Sequence, residues 1–184
     1  RFSHHGKRWR YDDIVVEPQP LQAPHPPLWL AAGSPESIRR AAREGYNLLL
    51  DQLGSVALTI ERVALFREEC QRIGRAYTPA MVGVTRALQI VRDEVERRAA
   101  FETRARVVDR IGDLARGGGT IAAPERDDAQ LLGTPAEIVA RLRQLEAGGV
   151  ENVLLVDPAA TVASLQAFAR EVMPAFAANR AAAE

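Results

Sequence analysis

The hydrophobic residues follow two different spacings along the chain. Short continuous apolar runs occur at residues 28–32 (LWLAA), 47–52 (NLLLDQ), 80–91 (AMVGVTRALQIV) and 150–156 (VENVLLV). Runs of this length that are rich in Leu and Val are typical of buried β-strands. From Val56 to Ile73 the apolar residues instead recur every three or four positions, which predicts an α-helix with one apolar face.

At least one helical pattern follows every predicted strand, and the strand at residues 80–91 is followed by two. These patterns cover residues 35–44, 56–73, 93–115, 133–149 and 161–177. A strand followed by helix, repeated four times, favours a parallel sheet with helical crossover connections. Four such units form half of an eight-unit barrel, and a closed (β/α)8 barrel seldom takes fewer than about 200 residues. The 184 residues are therefore too few to close a barrel.

The N-terminal residues have a different pattern. Residues 1–17 predict a β-hairpin with a first strand near Arg1–His4, a turn at Gly6 and a second strand in KRWRY. Half of the residues from 18 to 27 are proline, and proline cannot donate a backbone hydrogen bond. This second segment is therefore predicted to be an extended connector.

These patterns divide the chain into two parts. Residues 1–27 form the hairpin and the proline-rich connector, and residues 28–184 form one α/β domain. Within that domain, GGGTIAAPERDDA (residues 117–129) is predicted to be a loop. Because there is no initiator Met and strand-like alternation begins at once, we interpret the domain as continuous with a missing N-terminal half.

The composition narrows the classes of partner. The 24 basic and 24 acidic residues leave no net charge, so we expect neither nucleic acid nor a membrane surface as a partner. No apolar run approaches the length of a membrane span. The single cysteine, Cys70, excludes an internal disulfide and is predicted to be a core thiol on its helix. We therefore predict a cytoplasmic protein.

One predicted helix start satisfies its own backbone donors. In GTPAE, Thr134 is placed to be the N-cap, Pro135 the first helical residue, and Glu137 stands three residues after the cap. This is the spacing of a capping box, in which the threonine and the carboxylate each accept from a backbone N–H. We interpret this start as purely structural.

A second helix start, GSPES, has the same spacing but different chemistry. Ser34 is the predicted cap, and Ser37 stands where the carboxylate would be. A hydroxyl can donate to an anion that a carboxylate would repel, and Gly33 would let a ligand approach the backbone closely. The first turn of a helix also offers unpaired N–H groups and the positive end of the dipole. Anion binding by Gly33, Ser34 and Ser37 and simple self-capping both remain open.

The other polar residues give weaker signals. His4 and His5 are neighbours on a predicted strand and point to opposite faces, so no metal site is predicted. His25 lies within the proline-rich connector and is interpreted as a connector residue. Arg86, on the strand at residues 80–91, could face a ligand or a carboxylate of the barrel.

Two long segments resemble the bacterial luciferase-like flavin monooxygenases. The first is GKRWRYDDIVVEPQPLQAPHPPLWLAAGSPESIRRAAREGYNLLL, with a hairpin and a "Q-x-P-x-P-P" run before a strand. The second, LLGTPAEIVARLRQLEAGGVENVLLV, is similar to the closing "GTP-E" helix and eighth strand of that family. The resemblance implies the C-terminal half of a (β/α)8 TIM barrel, strands five to eight, preceded by the hairpin.

The resemblance also implies a cofactor site. In that family the turn after the fifth strand contacts the flavin phosphate, which assigns this contact to Gly33, Ser34 and Ser37. The luciferase turn has an acidic residue where Gly33 stands, so the contact at that position would be through the backbone. Most side chains credited with catalysis in the family lie on the first four strands, and we therefore name no catalytic residue.

The activity implied by the resemblance is an FMN-dependent monooxygenase. It would use reduced FMN from a separate reductase and dioxygen to oxidise a small organic substrate. Two alternatives are a deazaflavin-dependent dehydrogenase or reductase of the same superfamily and a non-catalytic flavin-binding half-barrel. A half-barrel has open sheet edges, so we expect a homo-oligomer or association with the missing N-terminal half.

Overall fold

A computed structural model of the chain describes residues 1–23, 25–115, 129–156 and 161–177. These residues form an α/β domain with a parallel sheet, preceded by a separate two-stranded hairpin. The predicted loop at residues 117–129 lies outside the described residues except for Ala129. Within the described residues, no helix combines the length and the apolar character needed to cross a membrane.

Four parallel strands form the body of the sheet. They are β3 (Trp29–Ala31), β4 (Asn47–Leu50), β5 (Val82–Ile90) and β7 (Asn152–Val156), in that spatial order. The strand β5 pairs with β4 through its first residues and with β7 from Gly83 to Ala87. This arrangement confirms the predicted parallel sheet.

One short strand was not predicted. Leu131–Gly133 forms β6, which pairs in parallel with the last three residues of β5. The three residues LLG are buried, but they are too few to show any periodicity. The strand exists because β5 is nine residues long and extends beyond its pairing with β7.

The helices lie close to their predicted positions. They are α1 (Pro35–Arg43), α2 (Val56–Arg72), α3 (Glu94–Ala115), α4 (Pro135–Ala147), α5 (Val162–Glu171) and α6 (Pro174–Ala177). The helices α1 and α2 are each followed, two residues after their last residue, by a glycine, Gly45 and Gly74, with φ angles of 84° and 74°. Only glycine adopts such left-handed angles without strain. The predicted final helix is divided into α5 and α6.

The hairpin differs from its prediction in its second strand. The strands are β1 (Phe2–His5) and β2 (Arg10–Ile14), and they pair antiparallel. The predicted second strand started at Lys7, but the Gly6 N–H donates to the Trp9 carbonyl oxygen at 2.9 Å and closes a turn. Trp9 therefore lies in the turn, where 66% of it is exposed, and not on a strand face with Tyr11.

The main core lies between the sheet and helices α1 and α2. Fully buried side chains from the helices, Ile38, Phe66 and Cys70, pack against Leu48 and Val84 of the strands. Burial raises the pKa of the Cys70 thiol, so this cysteine is the inert core residue predicted from the sequence. A smaller cluster packs α4 against β5 and β6.

The two outer strands, β3 and β7, have open edges, from which we predict that this chain associates with another chain. Each pairs with one other strand within the described part of the chain, and Trp29 and Leu154 are exposed by 42% and 47%. An open strand edge with exposed apolar side chains favours pairing with another chain. We expect the 184-residue chain, expressed alone, to sediment as a dimer or larger species, and Leu154→Lys to weaken this association.

Val95→Lys is the control for this experiment. Val95 is even more exposed, at 79%, but lies on helix α3 and not on a strand edge. The Val95→Lys substitution should therefore leave the association unchanged. A monodisperse species of 20.1 kDa for the unmodified chain would contradict the predicted association.

Candidate functional site

One of the predicted site residues, Gly33, lines a cavity at the carboxyl ends of the parallel strands, whereas Ser34 and Ser37 follow it at the start of α1 and are not among the lining residues. Gly33 follows β3, and Asp51 follows β4, at the same edge of the sheet. The cavity has a volume of about 320 Å³ and is lined by Ala31, Ala32, Gly33, Leu49, Leu50, Asp51 and Thr85. In parallel α/β folds this edge is where ligands bind.

The start of α1 is capped more completely than predicted. The Ser34 N–H donates to the Ser37 Oγ at 3.2 Å, and the Ser37 N–H donates to the Ser34 Oγ at 3.3 Å. The hydroxyl of Ser37 therefore closes the capping box without a carboxylate. Of the two possibilities that the sequence left open, self-capping is present at these two amides, because a serine at this position can accept as well as donate.

The helix start still differs in charge from the start of α4. There the Thr134 N–H donates to the Glu137 Oε2 at 2.7 Å, which confirms the predicted capping box. Arg97 also donates to this oxygen, and the two contacts lower the pKa of Glu137 to about 2. The start of α4 thus carries a carboxylate that stays ionised, whereas the start of α1 carries two neutral hydroxyls 2.9 Å apart.

A third helix start has the same pairing of two hydroxyls. At the start of α5 the Ser164 N–H donates to the Thr161 Oγ1 at 3.1 Å, and the two hydroxyl oxygens are 3.1 Å apart. This pairing has the same form as that of Ser34 and Ser37. What distinguishes the start of α1 is the neighbouring cavity and Gly33.

The structure gives no internal reason for glycine at position 33. Its φ angle lies outside the left-handed region that favours glycine. A Cβ atom there would lie 3.4 Å from the Asp51 Oδ2 and 3.5 Å from the Arg62 Nη2, which are ordinary contacts. Neither the backbone nor the packing of the described residues requires a glycine at this position.

Arg62 is a site residue that the sequence analysis missed. Its Nη1 donates to the Asp51 Oδ2 at 3.0 Å, so the charge of the Asp51 carboxylate is paired. The other Asp51 oxygen accepts from the N–H groups of Leu53 and Gly54. The available signal was the polar face of α2, where Ser55, Thr59 and Arg62 recur at helical spacing.

Arg86 faces the helices. It is fully buried, its Nη1 donates to the Asp51 carbonyl oxygen at 2.9 Å, and its Nη2 donates to the Thr59 Oγ1 at 2.5 Å. These contacts connect β5 with α2 and with the turn after β4. The carboxylate that the sequence analysis had considered is thus replaced by a backbone carbonyl and a hydroxyl.

The three histidines lie on the hairpin and in the connector. His5 Nε2 lies 2.5 Å from the Asp12 Oδ1 on the hairpin, and the His4 ring lies against Tyr11. His25 is exposed in the connector, with its Nδ1 2.7 Å from the Pro26 carbonyl oxygen. Among the described residues there is no group of three or more side chains that could hold a metal ion.

Two characterised proteins are similar in sequence over most of the chain. The oxygenase component of a flavin-dependent trigonelline monooxygenase from Acinetobacter baylyi is 24% identical, covering 97% of this chain and 56% of that protein. An FMNH2-dependent dimethylsulfone monooxygenase from Pseudomonas putida is 27% identical, covering 83% of this chain and 47% of that protein. The chain thus spans about half the length of the curated relatives it matches.

Solved structures share the fold. The monooxygenase RslO1 from Streptomyces bottropensis superimposes with a TM-score of 0.70 at 20% identity, covering 96% of this chain and 56% of that one. An F420-dependent secondary alcohol dehydrogenase superimposes with a TM-score of 0.68 at 14% identity, covering 95% and 55%. The sequence profile of the luciferase-like monooxygenases matches residues 1–152. The chain therefore belongs to the luciferase-like monooxygenase family.

Proposed function

We propose that this chain carries the phosphate-binding part of the active site of an FMN-dependent monooxygenase. In this proposal it forms strands five to eight of a (β/α)8 barrel, and the open edges of β3 and β7 are covered by the first four strands or by a second copy. The phosphate of FMN is bound at the start of α1 by Gly33, Ser34 and Ser37.

The observation that carries the proposal is that Gly33, which the fold does not require to be a glycine, lines a cavity and precedes the uncharged start of α1. The positive end of the α1 dipole and two hydroxyls favour a dianion. Arg62 lies close to Gly33 and adds a positive charge, while its ion pair with Asp51 reduces the repulsion from that carboxylate. Glu36 in the first turn is exposed to solvent, which screens its charge.

The residues of this chain would bind, orient and shield the cofactor. When bound, reduced FMN would supply the activation of dioxygen. The cavity lining is largely apolar, with Ala32, Leu49 and Leu50, and would exclude water from the buried part of the cofactor. The backbone at Gly33 and the two hydroxyls would fix the cofactor through its phosphate.

A second candidate is a deazaflavin-dependent oxidoreductase, which is favoured by the fold shared with the F420-dependent alcohol dehydrogenase. Such an enzyme would move hydride and would not consume oxygen. A flavin-binding protein without turnover is a further candidate, because the chain spans only about half of its relatives.

Oxygen consumption separates these functions. The protein as its gene encodes it would be mixed with chemically reduced FMN and, in parallel, with reduced deazaflavin coenzyme. We expect protein-dependent oxygen consumption and stoichiometric binding with FMN. Binding of the deazaflavin alone would support the dehydrogenase, FMN binding without altered oxygen consumption would support the non-catalytic protein, and binding of neither would reject all three.

A further inference from the structure

A second cavity lies beside the first, at the point where helix α3 covers the ends of the strands. Its volume is about 210 Å³. Most of its wall is apolar, with Ala87, Leu132 and Val156 from three strands and Ala100 from α3. A cavity of this size is below the roughly 300–1,000 Å³ of most ligand pockets, so it fits a small molecule or one end of a larger one.

One charged side chain lines this cavity and lacks partners. Arg104 of α3 is only 8% exposed, and its Nε and Nη2 atoms have no hydrogen-bond partner within the described part of the chain. Burial lowers the pKa of this guanidinium, because the charged form loses its hydration. The Oε1 atom of Gln52, which also lines the cavity, is likewise buried without a partner among the described residues.

An unpaired buried guanidinium is costly and is not explained by packing. Burying a charge without a partner opposes folding, whereas pairing it with an anion recovers the lost hydration. Arg86 provides the contrast within this chain, since it is also buried but its guanidinium donates to Asp51 and Thr59. The planar fork of donors of an arginine matches the two oxygens of a carboxylate or sulfonate.

The two cavities are adjacent in the fold. Asp51 lines the first, and the next residue, Gln52, lines the second. A molecule held at Arg104 would therefore lie next to the cavity assigned to FMN. No side chain of the phosphate-binding start of α1 lines the second cavity, so the two sites can be tested separately.

We propose that Arg104 binds the acid group of the molecule that is oxidised, which makes the substrate a small organic carboxylate or sulfonate. The apolar wall contacts the body of this acid, and Gln52 accepts from a donor group on it. The assignment to the oxidised substrate rests on the proposed function. The anion site itself rests on a buried guanidinium that has no partner among the described residues and lines a cavity.

Calorimetric titration of benzoate and benzamide tests the anion site, because the two probes share one shape and differ in charge. The unmodified protein is expected to bind benzoate about 10- to 100-fold more tightly than benzamide, the usual effect of a charge-assisted hydrogen bond. In Arg104→Met this ratio should fall to near one, and in Arg104→Lys it should be partly retained. Arg98→Met, at an exposed position of the same helix, should leave the ratio unchanged.

Three controls make the outcome decisive. Arg104→Met should melt at or above the temperature of the unmodified protein, because it removes an unpaired buried charge. It should also bind FMN and riboflavin as before, whereas loss of FMN alone would assign the anion to the flavin phosphate and overturn the proposal. Equal binding of benzoate and benzamide by the unmodified protein would overturn it as well.

The proposed function can fail separately. If the protein binds benzoate through Arg104 but neither binds FMN nor consumes oxygen, the anion site stands and its assignment to a monooxygenase substrate falls. If FMN binds and supports oxygen consumption but benzoate binding does not depend on Arg104, only the proposed substrate class is rejected.

Discussion

Replacing Ser34 with alanine and Ser37 with glutamate is expected to weaken FMN binding severely and to leave riboflavin binding nearly unchanged. Alanine removes one hydroxyl, and glutamate places a carboxylate at the start of α1, as Glu137 does at the start of α4. Each lost or repelled phosphate contact should cost about 1–3 kcal/mol. Fluorescence titration of the two flavins measures the difference directly, because riboflavin lacks the phosphate.

Helix α5 offers a matched control for this experiment. Ser164→Glu makes the same change three residues after a hydroxyl cap, at a helix start that lies outside the cavity beside Gly33. It should leave the affinity for FMN unchanged. A double variant at Ser34 and Ser37 that binds FMN like the unmodified protein would remove the phosphate assignment.

A variant that is expected to tighten FMN binding also tests the assignment of the phosphate to the start of α1. Asp51→Asn removes the negative charge next to Gly33 and frees Arg62 from its ion pair. The asparagine side-chain oxygen can still accept from the N–H groups of Leu53 and Gly54, so the turn should be retained. We expect tighter binding of FMN and unchanged binding of riboflavin at low ionic strength, with the gain reduced by salt.

Replacing Arg86 with alanine is expected to cause the largest loss of stability. The change removes the donor to the Asp51 carbonyl oxygen and to Thr59 and leaves a large void in the core. We expect the free energy of unfolding to fall by about 3 kcal/mol or more, because hydrogen bonds from a charged group are worth about 1.5–3 kcal/mol each. For a chain of this size this lowers Tm by about 6–12 °C.

Two further variants separate the causes of this loss. Arg86→Met fills most of the void but lacks the donors, so it should lose less stability than alanine. Arg98→Met, on an exposed part of α3, should change the unfolding free energy by less than about 0.5 kcal/mol. A normal melting temperature for Arg86→Ala would show that the contacts of this arginine do not stabilise the fold.

The sequence predicts those parts of the fold whose residues are neighbours along the chain. The run NLLL became β4, and the helices on either side of it are each followed by a glycine, Gly45 or Gly74, because backbone angles and side-chain spacing are local properties. The strand β6 was missed for the opposite reason. Its three residues are held by pairing with β5, more than 40 residues earlier, and have no pattern of their own.

In the candidate site, too, the sequence predicted the residues that are neighbours along the chain and missed those brought together by the fold. Gly33, Ser34 and Ser37 are consecutive or one turn apart, so the sequence brings them together without knowledge of the fold. Arg62 and Asp51 reach Gly33 only because β3 pairs with β4 and α2 packs beside them. Arg104 was also missed, since nothing local distinguishes a buried arginine on a charged helix from its exposed neighbours.

The alternation of side chains along β5 has a geometric consequence for any reaction between the two cavities. Arg86 points to the helices, whereas Thr85 lines the first cavity and Ala87 the second, on the opposite face of the strand. Two residues of a strand span about 7 Å. In the proposed arrangement the strand would set the spacing between the two bound molecules, and a larger side chain at position 87 would shorten the acids that the second cavity accepts.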